Sequence, residues 1–284
     1  MLKRLRTYAS FVRFSHSVFA LPFALVGVLF ASRYTPVTLG RVGWIIAAMV
    51  SARAAAMGFN RLLDARYDAL NPRTVAREMP RGTISNLQAT VFVGCWSLVF
   101  VGVTWKISAL CFALSPVALV IVFWYSVAKR YTAYTQLFLG LAMAVAPVGG
   151  WLAAGGRAGW EPWLLGVAIG MWVAGFDVLY ACQDIDFDRN QGLRSIPVRF
   201  GVPRALWISR GMHVLTVVAL VALATVTGLG PVYLFGVGAV ATLLVYEQSL
   251  VRADDLSRVK AAFDLNGYVG FLYLATTAVA VYVG

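Results

Sequence analysis

Charge is scarce in this sequence. Of its 284 residues only 13% are Asp, Glu, Lys or Arg, where a soluble domain carries about 25%. Acidic residues are scarcer still, 12 against 24 basic ones. Apolar residues make up 60% of the chain, which excludes disorder and argues against a water-soluble globule. A net charge of +12 would suit a nucleic-acid partner if the basic residues covered a water-facing surface, but so apolar a chain has little such surface. Cysteine is sparse too. Cys95, Cys111 and Cys182 all fall in apolar runs, without the paired spacing of a disulfide framework or a metal site. They read as small packing residues.

What the chain has in abundance is long apolar runs. A membrane-crossing helix needs about 20 mostly apolar residues, and nine such runs are found, at 9–32, 42–64, 87–105, 108–128, 133–155, 162–184, 205–228, 230–250 and 262–283. No long soluble segment interrupts them. The first run is too long, and lacks the small-residue cleavage site, for a removable signal peptide. Nine spans place the N-terminus and the connections after even-numbered spans on one side. That side collects nineteen basic residues: Lys3, Arg4, Arg6, Arg13, Arg61, Arg66, Arg73, Arg77, Arg81, Lys129, Arg130, Arg189, Arg194, Arg199, Arg204, Arg210, Arg252, Arg258 and Lys260. The other side has Arg33, Arg41, Lys106 and Arg157, and Arg53 lies inside a span. Because cytoplasmic loops carry the excess of Lys and Arg, the N-terminus is expected in the cytoplasm and the C-terminus outside.

Six of the twelve acids stand in two clusters, Asp64 and Asp68 closing the second span, and Asp177, Asp184, Asp186 and Asp188 closing the sixth. Both clusters reach the same membrane surface. At about 100° per residue, Asn60, Asp64 and Asp68 form one stripe, and Asp177, Asp184 and Asp188 stay within roughly 20° of one direction on a continuous helix. Asp186 points the opposite way. Acids at a helix C-terminus are disfavoured by the helix dipole and need a compensating cation. One reading is a surface ion-pair network with Arg61, Arg66 and Arg189. The other is Mg²⁺, which takes one or two carboxylates and completes its shell with water and substrate phosphate. Arg73, Arg77 and Arg81 follow the first cluster, and Arg189, Arg194 and Arg199 the second. Guanidinium forks beside carboxylates are the two halves of a metal–diphosphate site.

Tyr125 and Lys129 share one face of the fourth span at the same surface. They read either as a belt tyrosine with a snorkelling lysine or as part of that site. Arg53 sits seven residues before Asn60, about 10 Å deeper on the same stripe, and an intramembrane Arg belongs in a polar cavity. Its partner is a substrate carboxylate, Asp177 or backbone carbonyls.

The motifs Asn60-x-x-x-Asp64-x-x-x-Asp68 and Tyr180-x-x-x-Asp184-x-x-x-Asp188 resemble the two signatures of the UbiA superfamily of intramembrane aromatic prenyltransferases. Tyr125-x-x-x-Lys129 is similar to a third feature. The resemblance extends to His16-Ser17-Val18-Phe19-Ala20-Leu21-Pro22, Asn71-Pro72-Arg73-Thr74, Arg77-Glu78 and Ser195-Ile196-Pro197-x-x-Phe200-Gly201. It implies one all-α intramembrane prenyltransferase domain over 1–284, with nine transmembrane helices around a central cavity capped by cytoplasmic loops. It further implies that Asp64, Asp68, Asp184 and Asp188 bind an isoprenyl diphosphate through Mg²⁺, with Asn60 supporting the first motif. Arg73, Arg77, Lys129 and Arg194 would contact phosphate, Tyr125 would steady the diphosphate with Lys129, and Arg53 and Asp177 would face an aromatic acceptor.

The reaction so implied is polyprenyl transfer from polyprenyl diphosphate to an aromatic carboxylic acid in quinone synthesis, at a bacterial inner membrane with the site facing the cytoplasm. The family's typical member uses 4-hydroxybenzoate, as in ubiquinone synthesis. Here Arg77-Glu78-Met79-Pro80-Arg81-Gly82 departs from the stretch usual in that member. The combination of His16-x-Val18-Phe19-Ala20-Leu21-Pro22, Asn71-Pro72-Arg73-Thr74 and Ser195-Ile196-Pro197 looks like the subgroup acting on 1,4-dihydroxy-6-naphthoate in menaquinone synthesis. A transporter is the alternative from another class, since intramembrane acids also line ion paths, but such a path needs polar residues at the midplane. A non-catalytic scaffold is a third reading.

Overall fold

The computed structural model describes residues 2–12 and 17–283, and no side chains for 2–5 and 17–20. Arg13 and His16 therefore lie outside the described residues, and Lys3, Arg4, Val18, Phe19 and Ala20 are described in backbone only. Among the described residues every regular element is a helix: α1 (Leu2–Phe11), α2 (Ser17–Ser32), α3 (Leu39–Leu70), α4 (Asn86–Ile107), α5 (Ala109–Ala128), α6 (Thr135–Ala153), α7 (Glu161–Ala181), α8 (Ile185–Asn190), α9 (Ile196–Phe200), α10 (Val202–Thr227), α11 (Pro231–Ser249) and α12 (Val259–Tyr282). Among them eight stretches are long and apolar enough to cross a membrane, with α7 and α8 counted as one, and α2 contributes the shorter apolar stretch Leu21–Ser32. The span expected over 9–32 is thus replaced by two helices, α1 and α2.

Local chemistry sets the helix ends. Pro72 disfavours helical geometry at the residue before it, and Asn71, extended at φ −95°, ψ 121°, ends α3. Ser85 and Gln88 form a reciprocal capping box at the start of α4. A single extended residue, Ser108, closes α4 and caps α5 through the Cys111 N–H. Gly201, at φ 78° and ψ 162°, occupies a region open essentially to glycine alone and turns α9 into α10.

Sequential helices pack side by side from α2 to α7 and on through α10, α11 and α12, which returns to α2. The tightest crossings have no side chain between backbones. A Cβ on Gly27 of α2 would overlap the Pro147 carbonyl of α6, one on Gly150 would overlap the Ala24 carbonyl, and one on Gly140 the Gly170 carbonyl of α7. Small residues at helix crossings are how membrane helices approach closely when lipid supplies no hydrophobic drive between them. Interhelical hydrogen bonds add to this: Trp172 Nε1 donates to Asn266 Oδ1 at 2.7 Å, Asn266 Nδ2 to Glu247 Oε1 at 2.9 Å, and Gln248 Nε2 to Ser209 Oγ at 2.7 Å. The outside of the bundle is apolar, with Leu98, Val120, Phe235 and Val245 exposed. Trp105, Trp160, Trp163 and Trp207 stand exposed near helix ends, where the interface favours them. The molecule is a multi-pass integral membrane protein.

Candidate active site

Helix α3 has 32 residues, about 48 Å at 1.5 Å per residue, against a hydrocarbon core of about 30 Å. It therefore overruns the membrane, and its last three turns carry Asn60, Asp64 and Asp68. The sixth expected span is found within Glu161–Asn190, but its helix does not continue unbroken to Asp188. It is not one regular helix, because α7 ends at Ala181 and a 3-10 turn, Cys182–Asp184, precedes α8. The Cys182 thiol donates to the Val178 carbonyl at 3.3 Å, and Gln183 Nε2 donates to the Tyr180 carbonyl at 3.0 Å. Side chains thus bond carbonyls at the end of α7. Despite the changed geometry, Asp177, Asp184 and Asp188 line one cavity, while Asp186 is exposed.

That cavity has a volume of about 570 Å³. The twelve residues to which the resemblance gives a role line it: Arg53, Asn60, Asp64, Asp68, Arg73, Arg77, Tyr125, Lys129, Asp177, Asp184, Asp188 and Arg194, whereas Arg81, Asp186 and Arg199 do not. Its polar part is built from ion pairs. Lys129 Nζ donates to Asp64 Oδ2 at 2.6 Å, Arg77 Nη1 to Asp68 Oδ1 at 2.6 Å, and Arg73 Nη2 to Asp184 Oδ2 at 2.7 Å. Asn60 Nδ2 donates to Asp64 Oδ2 at 3.2 Å and lies 3.3 Å from Ser126 Oγ. The Arg73 guanidinium also sits 5.4 Å from the Tyr180 ring centroid. Arg194 is less committed to the site. It is exposed, its Nη1 donates to the Tyr131 carbonyl at 2.7 Å, and its backbone N–H donates to the Lys129 carbonyl at 2.8 Å. Tyr125 Oη approaches Met57 Sδ at 4.0 Å. Arg53 is half-buried deeper in the cavity. Much of the remaining lining is apolar, with Ala48, Ala52 and Ala56 of α3, Ala118 and Val122 of α5, and Ala142 and Ala146 of α6, interrupted by Thr104, Ser115 and Gln136.

Sequence reasoning missed some of the lining. Arg61, expected in a surface network, is 3% exposed and lines the cavity, and Asn71, Thr74 and Ser195 line it as well. Arg66 and Arg189 are exposed and stay out of the lining.

The carboxylates suit a hard divalent cation. Asp64 Oδ1 is buried with no hydrogen-bond partner, so one anionic oxygen is available to a ligand. Among the described residues no three acidic, His or Cys side chains gather closely enough to enclose a metal unaided. An ion such as Mg²⁺ takes few protein ligands and shares the rest of its shell with phosphate and water.

A membrane bundle around an apolar chamber that ends in paired carboxylates and cations defines an intramembrane enzyme of anionic, lipophilic substrates. Residues 20–275 match the UbiA prenyltransferase family. The chain belongs to that family and is a prenyltransferase. It is 33% identical over 220 residues to a 4-hydroxybenzoate octaprenyltransferase of Marinobacter nauticus, covering 77% of this chain and 74% of the relative. The apo structure of a UbiA homolog from Aeropyrum pernix K1 superposes with a TM-score of 0.85 at 34% identity, covering 92% of this chain and 96% of the other. A UbiA homolog from Archaeoglobus fulgidus, bound to GPP and Mg²⁺, shares the fold at a TM-score of 0.73 and 19% identity, covering 97% and 99%.

Proposed function

We propose that this enzyme transfers a polyprenyl group from polyprenyl diphosphate, with Mg²⁺, to an aromatic carboxylic acid in quinone biosynthesis, the acceptor being 4-hydroxybenzoate or 1,4-dihydroxy-6-naphthoate. In this reading residues 1–284 form one catalytic unit of nine spans, with α2 as the first. It lies in the bacterial inner membrane with its N-terminus and active site toward the cytoplasm, as the distribution of Lys and Arg favours. The observation that carries the function is the meeting of both Asp motifs and their paired cations in one largely apolar cavity. The name of the Marinobacter relative supports the donor and acceptor classes, and the ligands of the Archaeoglobus homolog support diphosphate with Mg²⁺.

The three ion pairs keep the polar end of the cavity near neutrality. On donor binding each pair exchanges partners: Lys129, Arg77 and Arg73 turn to phosphate oxygens, joined by Arg194, which frees Asp64, Asp68 and Asp184, and these carboxylates with Asp188 would hold Mg²⁺. The ion, when bound, adds positive charge against the oxygens of the leaving diphosphate. Asn60 keeps Asp64 oriented, and Tyr125 steadies the diphosphate beside Lys129. As the C–O bond breaks, these cations stabilise the charge gathering on diphosphate. The allylic cation left behind is shielded from water by the apolar lining. An electron-rich ring carbon then forms the C–C bond, and the ring loses its proton. Arg53 binds the acceptor carboxylate deeper in the cavity, with Asp177 facing the same ring.

The deciding experiment gives the purified enzyme Mg²⁺, a polyprenyl diphosphate and each acid in parallel. Diphosphate release and a C-prenylated acid are expected with one of the two, and Asp64→Asn or Asp184→Asn abolishes turnover while the protein still folds. Full activity in either variant sinks the metal assignment. Uptake into proteoliposomes without any chemistry favours the transporter instead.

A further inference from the structure

We infer that Arg61 is a positioning residue, and that the short helix α1 acts through it to set Asp68. The inference rests on the site reading above, since Asp68 matters only if it serves the donor. Asp68 lies in the last turn of α3, where the helix dipole disfavours an anion. Two guanidinium groups offset that cost. Arg77 comes from the connection after α3, and Arg61 Nη1 lies 3.9 Å from Asp68 Oδ2. Arg61 is itself buried, and its Nε donates at 3.2 Å to the carbonyl of Phe11, the last residue of α1. The C-terminal carbonyls of a helix lack partners within the helix and carry partial negative charge, so the end of α1 is a fitting acceptor for a cation. One planar guanidinium thus spans two acceptors, the end of α1 and the first Asp motif.

Helix α1 is held in place independently of Arg61. Tyr8 stacks on Phe92 of α4 with centroids 5.4 Å apart, and Phe11, fully buried, meets the same ring edge-on at 5.7 Å. Ile84 and Met79 from the connection between α3 and α4 join this cluster, and Ser10 Oγ donates to Glu78 Oε1. The connection that carries Arg73 and Arg77 is therefore fastened to α1 at one end and to Asp68 at the other, where Thr74 Oγ1 donates to the Asp68 carbonyl at 3.0 Å. Neither Tyr8 nor Phe11 lines the cavity. The geometry makes α1 a strap whose docking fixes the carboxylate and the roof arginines together.

The test compares Arg61→Gln, Arg61→Lys and the pair Tyr8→Ala and Phe11→Ala, which undocks α1 without touching the cavity. Groups that orient a metal ligand are worth about 10- to 100-fold in metal affinity or activity. All variants are expected to raise the Mg²⁺ concentration for half-maximal turnover, and the donor KM, by about that factor, with the acceptor KM unchanged. Lysine keeps the charge but cannot span both acceptors, so it should not rescue. A second readout needs no turnover: trypsin should cut the connection at Arg73, Arg77 or Arg81 faster in every variant than in the wild type. Wild-type behaviour of Arg61→Lys would reduce Arg61 to a charge acting on its own. An unchanged Mg²⁺ curve and unchanged trypsin cutting in the α1 variants would overturn the strap. If the wild type transfers no prenyl group to either acid, the acceptor assignment fails, and the trypsin comparison still decides this one.

Discussion

At the residue scale the site is a set of exchanges waiting for a substrate. Lys129 and Asp64 are as enclosed as Arg77 and Asp68, with side chains 27% and 6% exposed against 24% and 9%. Replacing Lys129 by Met leaves a buried carboxylate without its cation. A charge-assisted hydrogen bond of this kind is worth about 1.5–3 kcal/mol, so thermal unfolding in detergent should show Lys129→Met destabilised by that order. Adding Asp64→Asn to it should recover much of the loss, the coupling that a double-mutant cycle reads. Turnover should be lost in all three proteins, which separates the stability of the pair from its use. The placement of these side chains was legible in the sequence because four-residue spacing on a helix without Gly or Pro from 59 to 70 admits one geometry. Arg61 was legible only as a position. Its burial depends on α1 covering it, which no local pattern announces.

At the element scale the sequence was read well where composition dictates the outcome and less well where side chains compete with backbone. The apolar runs after the first end within three residues of the long helices found, except that α3 runs on six residues past 64 until Pro72 stops it, and the short α8 and α9 were not expected. The break between α7 and α8 carries no Gly or Pro. It accompanies the Cys182 and Gln183 side chains bonding carbonyls one turn back, a choice decided only when neighbouring helices are in place. Glycines likewise look alike in sequence and differ in the fold. Gly150→Val should drive a side chain into the Ala24 carbonyl and cost about 1–3 kcal/mol or more. Gly94→Ala, in mid-α4 with no atom near its Cβ position, should stabilise by up to about 1 kcal/mol. Unfolding temperatures of the two variants, moving in opposite directions, check both.

At the scale of the whole molecule, the crowding of Lys and Arg into alternate connections is the basis of the orientation proposed for the bundle, and labelling tests it. With Cys95→Ala, Cys111→Ala and Cys182→Ala as background, Arg252→Cys should react with a membrane-impermeant thiol reagent only from the cytoplasmic face, and Lys106→Cys only from the other. Labelling of both from one face would refute the assigned orientation. The two sides of the chamber also differ mechanically. Where α2, α6 and α7 cross backbone to backbone at Gly27, Gly150 and Gly140, no rotamer can turn aside, so that side is stiff. Opposite stand Ala48, Ala52 and Ala56 of α3 with Ala118 and Val122 of α5, which meet open cavity. A guest larger than the chamber is therefore expected to displace the α3–α5 wall before the glycine crossings.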